Sequence, residues 1–317
     1  MTKIDREDIQ LISRHSNLSQ KGIEKVLKEE IYSDQKNWRQ FLKLIMISLG
    51  VGFTAFGILF FFAYNWADLH KFVKLGLIEL IIVSMTIAIL SLKLSKLTKN
   101  ILLTGTVLIV GVLFAVFGQI YQTGANAYDF FLGWTLFVTL WVLVANFAPL
   151  WLVYITLINT TVILYNQQVL HSDVSVFLYT ICFLINGVFL ISFIAGNKLK
   201  SKIQAPGWYT KTLALTTVVF ATLGNIVGIM DYNADGWFAL LLILSASLYG
   251  YGIYYSLKQQ SHFYLSIIAF SVIVIFCFVL IRISDGQGMF FLISIYVIAS
   301  VTLVVRQMLK LQKKWKG

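Results

Sequence analysis

The chain has 317 residues, 58% of them hydrophobic and only 12% charged. A soluble domain carries about twice that share of charge, so the composition excludes an ordinary soluble enzyme and indicates a membrane protein. The formal charge of +11 would suit a nucleic-acid binder, but the Lys and Arg residues flank apolar runs as topology signals do. No nucleic-acid partner is expected.

Residues 1–40 are polar and charged, so no cleavable signal peptide is expected. Within them, "DREDIQLISRH" and "SQKGIEKVLKEEIY" set Ile9 and Ile12, then Ile23, Val26, Leu27 and Ile31, at helical spacing. Asp5 and Ser19 suit the N-cap positions. Forty residues bury little core alone, so this segment reads as a small cytoplasmic helical module. It is either a solubilising hairpin that fixes orientation or a docking site for a membrane or cytoplasmic protein partner.

Ten apolar runs follow, over approximately 42–64, 73–94, 101–118, 130–147, 149–166, 176–195, 210–230, 237–256, 263–282 and 289–306. Each is long enough to cross a hydrocarbon layer of about 30 Å. The fourth and fifth are parted only by "NFAPL", where Asn146 and Pro149 favour two helices over one; Pro is admitted in a first turn and disfavours helix at the residue before it. The fold class is thus all-α, a polytopic transmembrane helix bundle of about ten spans over 41–306. Residues 307–317 form a basic cytoplasmic tail.

Charge tests the count. With the N-terminus inside, all but three of the 25 Lys and Arg fall on one side, the exceptions being Lys71, Lys74 and Arg282. A cytoplasmic face carries that excess, so both termini are placed in the cytoplasm. The other face is mildly acidic, with Asp68, Asp129, Asp173, Asp231, Asp235 and Asp285.

Polar side chains concentrate at "FGQIYQTGANAYDFF", residues 117–131, between spans three and four. If the third helix runs to Thr123, then Gln119, Gln122 and Thr123 share a face. Gly124 suits the left-handed residue that ends a helix, and Asn126 or Asp129 can cap the next. Tyr121, Tyr128 and Trp134 suit an interfacial aromatic belt. The stretch reads as a well-capped turn or as the lining of a polar outward-facing pocket. Glu79 lies inside the second span, where an ionisable group is a functional candidate. With Gly76, Val83 and Thr86 it forms a small or polar stripe expected to face other helices, unless it reaches the interface and pairs with Lys74. The first outer turn adds Asn65, Trp66, Asp68 and His70. The candidate ligand-binding residues are therefore Glu79, Gln119, Tyr121, Gln122, Asn65, Trp66 and Asp129.

Asn159, Asn186 and Asn225 lie inside spans, where amides bond across helices at modest gain. "GNIVG" (Gly224, Gly228) and the stripe Gly50, Thr54, Gly57 read as close helix packing. Cys182 and Cys277 lie in apolar runs and suggest neither a disulfide nor a zinc site. The four histidines are scattered, and no catalytic motif is present. No cofactor, metal site or catalytic residue is expected.

The segments "FFAYNWADLHKFVKLGLIE" and "FGQIYQTGANAYDFFLGW" resemble the bacterial predicted-membrane-protein family catalogued as domain of unknown function 2157. The residues that carry the resemblance are Asn65 and Trp66, then Gly118, Gln119, Tyr121, Gln122, Gly124, Ala125 and Trp134. It covers roughly the first half of the chain and implies a bacterial inner-membrane protein, with no catalytic residues to carry over. The functional expectation is a non-enzymatic accessory or sensor protein with a polar outward-facing site. The alternative is a transporter of a small polar or cationic solute that uses Glu79.

Overall fold

The computed structural model describes residues 22–23, 35–64, 69–121, 124, 126–172, 174–199, 205–231, 236–283 and 288–316. The caps and apolar positions read for the N-terminal module, other than Ile23, lie outside them, as do Asn65, Trp66, Asp68, Gln122 and Thr123. Among the described residues ten long helices follow one another: α1 (Gln35–Tyr64), α2 (Lys71–Ser91), α3 (Lys96–Tyr121), α4 (Ala127–Ala145), α5 (Ala148–Gln168), α6 (Val176–Lys198), α7 (Gly207–Met230), α8 (Gly236–Gln259), α9 (His262–Ile283) and α10 (Met289–Lys316). All ten are long and apolar enough to cross a membrane. Each apolar run of the sequence is one helix, and the protein is a polytopic helical membrane protein. Two helices outrun the sequence reading. α1 begins at Gln35, and α10 continues to Lys316, so the basic tail is the last turns of the tenth helix. Lys and Arg are good helix formers and cost nothing where the helix leaves hydrocarbon.

The break between α4 and α5 uses the residues that signalled it. Asn146 adopts a left-handed conformation at φ 43° and ends α4, Phe147 is extended, and Pro149 sits in the first turn of α5. A small polar side chain tolerates that region, and proline removes only an amide that has no partner there.

The chain divides into two compact units, Met1–Ile109 and Val110–Gly317. In the first, α1, α2 and α3 meet at Gly105. A β-carbon there would collide with the Val51 side chain and lie 3.8 Å from Met85 Cε. Beside it the fully buried Thr106 hydroxyl donates to the Leu102 carbonyl at 3.0 Å and to Met85 Sδ at 3.8 Å. This contact fixes the rotation of α2 and overturns the expected packing stripe. Lys74 and Ile78 are buried, whereas Gly76, Glu79 and Val83 are exposed. Glu79 follows Ile78 by one residue, about 100° around the helix. With Ile78 and Met85 turned inward, Glu79 turns out. Gly50 and Gly57 likewise face open space, and Thr54 spends its hydroxyl on the Gly50 carbonyl at 2.7 Å.

In the second unit, α6 packs on α7, α4 on α5, and α9 on α7, α8 and α10. The glycines of "GNIVG" are where α7 admits its neighbours. Leu241 of α8 and Tyr179 of α6 crowd Gly224, and the Phe238 ring covers Gly228. Buried polar groups tie the same helices together. Asn186, fully buried on α6, donates to Asn159 Oδ1 on α5 at 2.8 Å, and Asn159 returns a bond at 3.5 Å. Each amide also donates to its own helix, at the carbonyls of Cys182 and Ile155. Asn225 of α7 donates to Ser245 of α8 at 3.1 Å. Ser271 of α9 meets both Thr222 of α7 and Tyr249 of α8 at 2.6 Å. All three in-span asparagines are thus spent on neighbouring helices.

An unpaired buried amide costs more than a pair removed altogether. Asn186→Leu should therefore destabilise the protein by about 1–2 kcal/mol in detergent unfolding. Adding Asn159→Leu should restore part of that loss, since no carboxamide is then stranded.

Candidate functional site

The polar turn after α3 is built from local chemistry. Gly124 has φ +69°, the left-handed conformation that closes a helix end at least cost for a residue with no β-carbon. α4 then opens at Asn126, whose backbone N–H donates to Asp129 Oδ2 at 3.0 Å, while the Asp129 N–H returns to the Asn126 carbonyl at 3.1 Å. A carboxylate in the first turn also sits well in the field of the helix N-terminus. The next free amide, Tyr128 N–H, is met from α5 by Gln168 Oε1 at 3.1 Å, and the Tyr128 ring stands edge-on to Tyr165 at 5.2 Å. The Gln168 contact spans forty positions and left no trace in the local sequence.

Between the end of α3 and the start of α4 lies a cleft of about 690 Å³. Its walls are Phe114, Phe117 and Phe130, and its polar groups are Gln119, Asn126 and Asp129. The exposed Tyr121 leans on Phe117 at 4.6 Å between ring centres, at the edge of this wall. Of the sequence-predicted site residues, Gln119 and Asp129 are brought together, with Tyr121 beside them. Gln122, Asn65 and Trp66 lie outside the described residues. Glu79 is an exposed side chain on α2, where nothing encloses it.

The three phenylalanines were missed, because in an apolar run they look like any other lipid-facing side chain. They are placed by a reciprocal fit of α3 to α4. Gly111 of α3 lies under the Trp134 indole, and Gly133 of α4 lies under Phe114, whose ring would stand 2.9 Å from a β-carbon. Each helix thus receives one aromatic of the other. Trp134 packs seven residues into α4, roughly 10 Å along the axis. Its ring meets Phe130 and Phe131 at 5.9 and 6.1 Å, and Phe114 meets Phe130 edge-on at 6.3 Å. The cleft therefore has an aromatic floor held by glycine contacts and a polar rim held by helix capping.

Residues 16–151 match a family described as "Predicted membrane protein (DUF2157)". The match takes in α1 to α4 and so both sides of the cleft, in agreement with the resemblance carried by Gly118, Gln119, Tyr121, Gly124 and Trp134. No curated protein and no solved structure matches the chain.

The two kinds of glycine at this site separate in a stability measurement. Gly111→Leu must displace the Trp134 ring and should cost about 1–3 kcal/mol or more, read as a lower unfolding midpoint in detergent. Gly118, which lines the cleft with open space above it, should accept leucine with little change in midpoint.

Proposed function

We propose that the protein is a non-enzymatic binding protein of the cell inner membrane, an accessory subunit or sensor. In this reading the Gln119–Asp129 cleft opens to the outside and both termini lie in the cytoplasm. The observation that carries it is the cleft itself. Its volume falls within the range of small-molecule sites, which join apolar walls to a few placed polar groups. Gln119 offers an exposed carboxamide that can both donate and accept. Asp129 binds the Asn126 amide through one oxygen, leaving the other with lone pairs for a ligand donor. The ligand that suits these groups has an aromatic or aliphatic body and a hydrogen-bond donor or cationic head. The supporting charge pattern is that of the sequence, with nearly all Lys and Arg at the opposite helix ends. Residues 1–40 then face the cytoplasm, where they would dock the protein that receives the signal.

The transport alternative has less behind it. A transporter needs a polar path reaching mid-membrane, whereas Asn159, Asn186 and Asn225 are taken up in cross-helix bonds and Glu79 lies on an open face of α2.

Two measurements test the proposal. A cysteine at Asn126, in a chain with Cys182 and Cys277 replaced by alanine, should react with a membrane-impermeant maleimide added to intact cells; reaction only after permeabilisation would reverse the orientation. A thermal-shift panel of aromatic amines on the full chain in nanodiscs should raise the midpoint of the parent protein for at least one member. Gly118→Phe, which fills the cleft, and Gln119→Ala should abolish that shift. No response in the parent, or an equal response in Gly118→Phe, removes the cleft as the binding site.

A further inference from the structure

We infer that the second unit carries a separate lipid site at its opposite, basic end: a slot bounded by α6, α7, α8 and α9 that takes an acyl chain of an acidic phospholipid, with the phosphate held by Lys198 and Lys211. The slot is narrow, about 60 Å³, and its walls are almost wholly apolar: Ile191 and Ile194 of α6, Leu248 and Gly252 of α8, and Ile267 of α9. At Gly252 α8 and α9 come close, since a β-carbon there would lie 2.7 Å from Ile268 Cδ1. From Leu248 to Tyr255 it runs seven residues along α8, roughly 10 Å. Ile191 and Tyr251 are exposed along its open side, so a stretch of unbranched hydrocarbon can lie lengthwise against it.

The mouth decides which lipid. Tyr255 and Tyr264 line it, 5.9 Å apart between ring centres, and Lys198 Nζ stands 5.1 Å above the Tyr255 ring. The Tyr264 hydroxyl donates to Thr210 Oγ1 at 3.4 Å, and the next residue, Lys211, places its Nζ 5.7 Å from the Phe263 ring. Both ammonium groups therefore rest on aromatic faces beside the slot. No Asp or Glu occurs anywhere in residues 174–230 or 236–284, so the four helices that form the slot offer these cations no carboxylate, Asp231 at the far end of α7 apart. A phosphate supplies the missing charge. Basic pockets between spanning helices are where anionic headgroups bind, and tyrosines at that level match the interface between chain and headgroup. The Asn197 side chain braces this end by exchanging two hydrogen bonds with the Ala205 backbone, at 2.9 and 2.8 Å. That ties the end of α6, which carries Lys198, to the approach of α7.

The inference needs neither the Gln119 cleft nor the membrane orientation, so it stands or falls alone. Native mass spectrometry of the full chain, titrated in detergent with phosphatidylglycerol or phosphatidylcholine, gives the affinity for each. The parent protein should bind its first phosphatidylglycerol at least about tenfold more tightly, and about 0.5 M salt should erase most of the difference. Lys198→Gln with Lys211→Gln should bring the ratio close to one, Lys198→Arg with Lys211→Arg should keep it, and Leu248→Trp should weaken both lipids. Equal affinities in the parent protein overturn the proposal without any variant. So does a ratio that survives the glutamine pair, or inorganic phosphate that stabilises the protein as well as phosphatidylglycerol does.

Discussion

Hydrocarbon offers a backbone amide nothing to bond with, and that constraint governs this molecule from one end to the other. Only segments that satisfy their own N–H and C=O groups can lie in it, so ten apolar runs become ten helices. The exposed groups then collect at helix ends, and each end needs a device of its own. Gly124 and Asn146 supply left-handed closures. Ser175 accepts the Leu178 N–H at the start of α6. Arg282 reaches from α9 to the last carbonyls of α7, bonding Met230 O at 3.4 Å, where a cation meets the negative end of the helix dipole. The cleft grows from the same requirement, because Asp129 and Gln168 satisfy the opening amides of α4.

The same solvent removes the usual force that drives helices together. Lipid tails are as apolar as leucine, so association depends on close fit and on polar bonds between helices. Both appear in the second unit. Gly224 and Gly228 let α7 touch α6 and α8, Gly111 and Gly133 seat Trp134 and Phe114, and Asn186, Asn225 and Ser271 join α5 to α9 in pairs. Fit and bonding fall on the same helices, which makes this unit a scaffold able to hold a cleft at one end and a slot at the other.

What the chain announced in advance was whatever depends on near neighbours. Asn146 before Pro149, Gly124 before Asn126, and a cap from Asn126 or Asp129 are turn chemistry confined to a few residues; the structure keeps the first two and resolves the third as a pairing of Asn126 with Asp129. The close packing at "GNIVG" was read correctly too, whereas the same reading failed at Gly50 and Gly57, which face open space. Glu79 was misplaced for a reason peculiar to membranes. In water an apolar stripe marks the buried face of a helix, but in lipid the outer face is just as apolar, and periodicity no longer tells in from out. α2 could have turned either way until Thr106 and Gly105 gave Met85 a partner. Phe114, Phe117 and Phe130 were hidden by the same ambiguity, because nothing in an apolar run marks which rings line a cavity.

By itself, then, the sequence determined the number of spans, the limits of most of them within a few residues, and the position of the polar turn, since all of these follow from how each short segment meets hydrocarbon or water. Tertiary structure alone decided which side of each helix is covered, that Gln168 crosses from α5 to cap α4, and that three aromatic rings stand beneath Gln119. Those outcomes depend on contacts between residues far apart in the chain. A solvent that does not distinguish an inner leucine from an outer one leaves no mark of such contacts in the order of the residues.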